Sequence, residues 1–287
     1  MFSSRLFQEF VLKKVFGLFR HAPVFPLVIL SLVLICGVGG SKIAPHDPND
    51  GDLFRSLMPP FKDLAYPLGT DQLGRDILSR LISGARISLS VGLTVVVIAG
   101  SIGSVMAMLS GYLGGKVDMV IMRLTDAMMS IPFLMMAVAL AAVLGPSLQN
   151  MIFLLSIMGW TGYARVLRGE VLRYKEGDFV KLALVDGCST FRVLRRHIFP
   201  NIFNSLIVLA TLQVGGVITT EAALSFLGLG VPPPAPSWGG MLSDSRSYTS
   251  VWWLSVFPGL AIMLTVLSCN LLGDWLRLRL DPKFRQL

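Results

Sequence analysis

Two segments set glycines ahead of a lysine, as a phosphate-cradling loop does: Gly37-Val-Gly-Gly-Ser-Lys42 and Gly114-Gly-Lys-Val117. A nucleotide-binding loop needs G-x-x-x-x-G-K followed by Ser or Thr, so that backbone amides wrap the phosphates and a hydroxyl reaches magnesium. Both segments fail, on the spacing or on the terminal hydroxyl. The chain also lacks G-x-S-x-G and H-E-x-x-H, the nucleophile and zinc-protease signatures. His21, His46 and His197 are scattered, and Cys36, Cys188 and Cys269 form no CxxC pair, so neither a local metal cluster nor a disulfide framework is expected. Intramembrane charge is sparse. Arg123 and Asp126 are three residues apart, a spacing that predicts a local ion pair at the membrane interface. Glu221 has no basic neighbour in sequence; it either lines a permeation path or reaches the outer interface. No row of carboxylates suggests a proton or sodium relay. These residues describe a passive conduit driven from outside its own chain: no enzyme, no catalytic residue, no metal and no cofactor of its own.

The elements that would position such a conduit lie in the membrane. The chain has 287 residues, 53% hydrophobic and 15% charged, with a mean hydropathy of +0.68, a composition of polytopic membrane proteins. Its net charge of +8 does not mark a nucleic-acid partner, because the basic residues flank apolar spans instead of clustering on a soluble domain. About 22 mixed residues precede the first span, which argues against a cleavable signal peptide. Crossing the hydrocarbon takes about 20 apolar residues, and six stretches qualify: 24–44, 87–109, 119–144, 148–164, 202–220 and 253–273. With the N-terminus inside, the cytoplasmic segments hold 18 of the 25 Lys and Arg residues. Both termini are therefore expected in the cytoplasm.

Trp238, Trp252 and Trp253 are expected as aromatic anchors at the outer interface, and Val231-Pro-Pro-Pro-Ala-Pro236 as a stiff extended strut. The outer segment 45–86 is expected to pack on the outer face, with Ile77, Leu78, Leu81 and Ile82 at helical spacing. Ala99, Gly103, Ala107, Gly111 and Gly115 recur every four residues. Such a ridge lets another helix approach closely, within this chain in preference to a dimer. Ala137, Ala141 and Gly145 repeat the device.

One polar island interrupts the apolar pattern. Segment 165–201 holds eight basic and four acidic residues. Arg165, Arg168, Glu170, Arg173 and Lys175 extend the fourth span as a charged stem, broken by Glu176-Gly-Asp178. Asp178 is read as the N-cap of a helix over 179–186 that ends at Gly187. A second helix is expected from Ser189 or Thr190 to Phe199, with Pro200 stopping it or hinging it into the fifth span. Leu182, Ala183, Val185 and Phe191 are then available to dock a partner, or to rest on lipid with the basic rim; the physical chemistry leaves both open.

The island resembles the cytoplasmic signature of bacterial ABC-importer permeases, in which a glycine, here Gly187, precedes a proline, here Pro200, by thirteen residues. In that pattern the glycine lies six residues beyond the glutamate of a Glu-Ala-Ala triplet; here Lys181-Leu182-Ala183 occupies the triplet and only the last alanine matches. A literal Glu221-Ala222-Ala223 is a decoy, because Leu227 stands where the glycine is required. Further motifs resemble the dipeptide/oligopeptide/nickel permease branch. They are Pro67-Leu-Gly-Thr-Asp-Gln-Leu-Gly-Arg-Asp-Ile-Leu-Ser-Arg80 with Gly84-Ala-Arg86, Gly111-Tyr-Leu-Gly-Gly115 with Asp118, Met122-Arg123 and Asp126, Leu224-Ser-Phe-Leu-Gly-Leu-Gly230, Pro236-Ser-Trp-Gly-Gly-Met-Leu242, Phe257-Pro-Gly259, Asn270-Leu-Leu-Gly-Asp274 and Asp281-Pro-Lys283.

The resemblance implies an all-α polytopic membrane protein of six transmembrane helices with a type I (MetI-like) importer permease core. Its parts are a cytoplasmic N-terminal segment 1–23, a first transmembrane helix 24–44, an extracytoplasmic segment 45–86, a core 87–280 containing the coupling segment 165–201, and a cytoplasmic tail 281–287. It implies a second homologous permease, two cytoplasmic ATPase subunits that bind the ATP and Mg, an extracytoplasmic solute-binding protein and membrane lipid as partners. The ATPase-coupling residues would be Lys181, Leu182, Ala183, Val185, Asp186, Gly187, Phe191 and Pro200, with Glu221 a candidate for the translocation path. The expected cargo is a di- or oligopeptide, with nickel or another small solute second. A secondary transporter and a non-transporting structural subunit are the readings from other classes.

Overall fold

The computed structural model describes residues 23–280. The N-terminal segment before residue 23, His21, the 281–287 tail and its Asp281-Pro-Lys283 motif lie outside the described residues. Among the described residues the architecture is all helical, with two isolated bridges, Gly51 to Arg75 and Thr70 to Asp76, in place of any sheet. The helices are α1 (Val24–Gly39), α2 (Ile77–Leu113), α3 (Gly115–Ser130), α4 (Phe133–Leu144), α5 (Leu148–Lys175), α6 (Asp178–Val185), α7 (Thr190–Phe226), α8 (Trp238–Ser245) and α9 (Trp253–Leu280).

Four of these, α1 with its 3-10 extension, α2, α7 and α9, are long and apolar enough to cross a membrane, and a fifth span results if α3 and α4 are counted as one. The expectation of six spans differs in two places. The stretch 119–144 is broken by an 82° bend between α3 and α4, where Ile131 takes an extended ψ of 123° ahead of Pro132, as the proline ring imposes on the residue before it. Helix α5 spans 28 residues, about 42 Å, but is less apolar than those four, with Gln149 and Asn150 in its first turn. It is shielded by other helices, with Trp160, Tyr163, Ala164, Leu167 and Val171 buried.

Helix α2 is the axis of the bundle. It begins ten residues before the expected 87 and runs for 37 residues, about 55 Å. Asp76 caps it, accepting from Leu78 N at 3.3 Å and Ser79 N at 3.0 Å, and Gly114, with φ +67°, closes it. The small-residue ridge faces α5. A Cβ on Gly111 would come within 2.8 Å of Val171 Cγ1, and Gly103 abuts Tyr163 and the Trp160 carbonyl. The ridge therefore serves intramolecular packing. Gly115 stands apart from it, at φ +54° with nothing within 4 Å of a Cβ built there.

At the N-terminal end of α2 the preceding segment, residues 45–76, folds back on the bundle. Arg75 Nε lies 2.6 Å from Asp71 Oδ2, Arg80 lies 3.6 Å from Asp71, and both arginines reach Asp244 of α8, at 3.5 and 3.4 Å. Trp253 Nε1 donates to the Thr70 carbonyl at 3.2 Å. Trp238 departs from its expected interfacial place: it is buried, donates to the Leu81 carbonyl at 3.0 Å and lies 3.0 Å from a Cβ built on Gly84. The proline run is a turn containing a cis Pro233–Pro234 bond, not an extended strut.

Candidate functional site

The opposite end of α2 meets the polar island. Helix α5 carries straight on from the bundle to Lys175 and ends at Glu176. Gly177, not Asp178, is the N-cap of α6; its carbonyl accepts from Val180 N at 3.0 Å and Lys181 N at 3.2 Å, and Asp178 is the first helical residue. An acidic side chain in the first turn suits the helix dipole even without a capping bond.

The end of α6 is closed by two nested bonds. Cys188 N donates to the Ala183 carbonyl at 2.9 Å, and Gly187 N to the Leu184 carbonyl at 3.0 Å, with Gly187 at φ +76°. This is the Schellman closure, in which a left-handed residue satisfies the last carbonyls. Nothing lies within 4 Å of a Cβ built on Gly187, so backbone conformation alone, and not crowding, selects glycine there.

The eight residues of α6 divide by face. Val180 is fully enclosed and Ala183 is 5% exposed, while Leu182 is 64%, Val185 84% and, on the next helix, Phe191 70% exposed. Val180 and Ala183 belong to one core with Ala107 of α2, Leu167 and Val171 of α5, and Val193, Ile198 and Ile202 of α7. Ala183 is thus turned inward, in contrast to the expectation that it is available to a partner. Lys181, Leu182, Val185, Asp186, Gly187, Phe191 and Pro200 are each exposed. Lys181 approaches Glu176 at 3.9 Å, an exposed pair that contributes little.

Pro200 does not end the helix. Helix α7 runs from Thr190 through Pro200 to Phe226, and the proline is accommodated by a π-turn over Leu194–Ile198, in which Phe199 N donates to the Leu194 carbonyl. The wider turn relieves the contact between the ring and the preceding carbonyl that otherwise breaks a helix.

Glu221 lies near the far end of α7 and has no exposed surface. Ser88 Oγ of α2 donates to Oε2 at 3.0 Å and Ser225 Oγ to Oε1 at 2.8 Å. Neither expected role, path lining or contact with the outer interface, matches this enclosure. A groove of about 570 Å³ does open between α7, α8 and α9, and its wall is formed by Ala222, Ala223, Leu242 and Met263, with Thr219 and Asn270 as polar members. Glu221 is not among the residues that line it.

The ion pairs of the island also differ from expectation. Asp126 pairs with Arg165 of α5 instead of Arg123. Asp118 receives a two-point fork from Arg168, with Nε to Oδ1 and Nη2 to Oδ2 both at 2.5 Å. The signal was present in the spacing: Asp118 and Asp126 are eight apart on one helix, and Arg165 and Arg168 three apart on another, so each set shares a face.

Residues 99–286 match the family model described as binding-protein-dependent transport system inner membrane component. A probable D,D-dipeptide transport system permease protein of Escherichia coli is 43% identical over 89% of this chain and 86% of its own length. A di/tripeptide transport system permease protein of Pseudomonas aeruginosa is 41% identical, covering 90% of this chain and 87% of its own. A dipeptide transport system permease protein of Bacillus subtilis is 38% identical, covering 91% and 81%. The matched region starts midway along α2 and takes in every helix of the island and of the groove. This multi-pass membrane chain belongs to the family of binding-protein-dependent transport system inner membrane components.

Proposed function

We propose that the chain is the membrane-spanning permease subunit of an ATP-driven importer of short peptides, working with a second homologous permease, two cytoplasmic ATPase subunits and an extracytoplasmic solute-binding protein. The observation that carries this reading is the two-sided build of α6: Val180 and Ala183 are locked into the bundle core while Leu182, Val185 and Phe191 are left uncovered. A partner that grips the outer face moves the core with it. A floppy loop would absorb such a displacement; a capped helix closed at Gly187 transmits it. The distribution of Lys and Arg supports cytoplasmic termini in a bacterial inner membrane and, with them, α6 on the ATPase side.

In this reading the ATPase pair closes on binding ATP with Mg, draws the coupling helices together and opens the permease outward. Hydrolysis and product release reset it, a rigid-body transition between two packings. The chain supplies docking and transmission, and the partner subunits supply the hydrolysis. The peptide cargo is supported by the relatives named above, whose names carry dipeptide or di/tripeptide transport and not nickel.

The test is reconstitution with the partner subunits in proteoliposomes. Uptake of a labelled dipeptide that requires ATP and the binding protein, with the ATPases co-purifying on this chain, is the expected result. Uptake driven by an ion gradient without the ATPases would overturn it in favour of a secondary transporter. A complex that assembles but carries no solute would favour a structural subunit.

A further inference from the structure

Helix α3 is held to the rest of the chain in an unusual way. Of its sixteen residues only Thr125 is buried, so apolar packing contributes little to its position. Both of its ends are joints. At one end Gly114 and Gly115 follow each other at φ +67° and +54°, with nothing within 4 Å of a Cβ built on either; at the other, Ile131-Pro132 turns the chain by 82° into α4. Between the joints, Arg168 forks onto Asp118 and Arg165 meets Asp126.

Both arginines sit on the stem that carries α6. Arg168 precedes Lys175, the last residue of α5, by seven residues, about 10 Å of helix, and Glu176-Gly177 joins that end to α6. At the same level α5 is also packed closely on α2: a Cβ on Gly111 would lie 3.3 Å from the Arg168 carbonyl and 2.8 Å from Val171 Cγ1. The stem therefore bears on the α2 axis through backbone and Val171, and grips the α3 arm through charge. A planar guanidinium holding both carboxylate oxygens fixes orientation as well as distance, which a single-point contact does not.

We propose that Arg168 and Arg165 are positioning residues that carry the displacement of the coupling helix into the α3–α4 arm, with Asp118 and Asp126 as the grip. The proposal rests on the reading of α6 as the coupling element. It makes the arm the moving part and the Gly114-Gly115 and Ile131-Pro132 joints the places where backbone dihedrals change.

The test uses the assembled transporter with its second permease, ATPases and binding protein in proteoliposomes, scoring dipeptide uptake and ATP hydrolysis together. Arg168→Ala and Asp118→Ala are each expected to lower the number of peptides carried per ATP by roughly 2- to 30-fold, the span of single-site effects on coupling, while the ATPases stay bound. The double variant is expected to lose no more than either single one, because each removes the same contact. If the single variants fail to assemble, the exchange Arg168→Asp with Asp118→Arg, which keeps an opposite-charge pair, is expected to restore assembly and part of the uptake. Full coupling in assembled Arg168→Ala, or an exchange variant no better than the singles, overturns the clamp. Loss of ATPase co-purification from the wild-type chain instead overturns the coupling-helix reading itself, so the two failures are told apart.

Discussion

Ser88 Oγ on α2 and Glu221 Oε2 on α7 meet at 3.0 Å in a fully enclosed site, joining positions 133 residues apart in the chain. With Ser225 on the other oxygen, the carboxyl group is an internal tie between the two longest helices. A buried hydroxyl or carboxyl stranded by loss of its partner costs about 1–3 kcal/mol. Glu221→Ala strands both serines and opens a cavity, whereas Glu221→Gln preserves shape and an acceptor. The thermal-inactivation half-life of the detergent-solubilised transporter should fall markedly for the first and only slightly for the second.

Gly187 tests the closure of α6. Its surroundings are open, so the burden of a side chain is the left-handed backbone alone, about 1–2 kcal/mol for an ordinary residue. Asparagine visits that region more readily than a β-branched residue does. Gly187→Asn should keep most peptide uptake, while Gly187→Val should stay in the membrane yet hydrolyse ATP with little uptake. Wild-type transport by Gly187→Val would remove this residue from the coupling account.

The two faces of α6 should respond in opposite ways. Leu182→Asp and Val185→Asp alter exposed positions and should leave the folded yield within about 0.5 kcal/mol of wild type, while ATPase co-purification is lost. Val180→Asp places a charge in the shared core and should abolish the folded protein. Fluorescence-detected size exclusion, read beside the amount of bound ATPase, separates the two outcomes.

The ionic brace at the N-terminal end of α2 is asymmetric. Asp71 is 6% exposed and serves both Arg75 and Arg80, while Asp244 is 35% exposed. Asp71→Ala leaves two enclosed guanidinium groups short of a partner, a loss of about 3 kcal/mol. Asp244→Ala removes a half-wet partner, about 1 kcal/mol. Inactivation half-lives should rank in that order, and the reverse ranking would show that Asp244 is the principal anchor.

Much of the island was legible from residue types because its punctuation is local. Gly187 at the end of an eight-residue helix, the charged stem to Lys175 and the break at Glu176-Gly177 each depend on neighbours a few positions away. The ridge from Ala99 to Gly111 was legible for a similar reason: spacing on one helix decides which residues share a face. What escaped depends on the partner across a gap. Periodicity does not say that Ala183 is turned inward, that Trp238 meets Gly84, or that Asp126 finds Arg165 in preference to its own neighbour Arg123. The usual effect of a proline suggests that Pro200 stops or hinges the helix, but the π-turn over Leu194–Ile198 absorbs the conflict. Glu221 was judged by its charge, and the serines that enclose it come from α2 and from the following turn.

Helix α7 begins beside Gly187 and runs past Glu221 as one span, and this fixes its length to the residue. One residue inserted or deleted between Ile202 and Thr220 would rotate everything beyond it by about 100° and shift it by about 1.5 Å. The carboxyl group would then point away from Ser88 while the end beside Gly187 kept its contacts. This helix is a keyed shaft, with a single phase at which both ends engage.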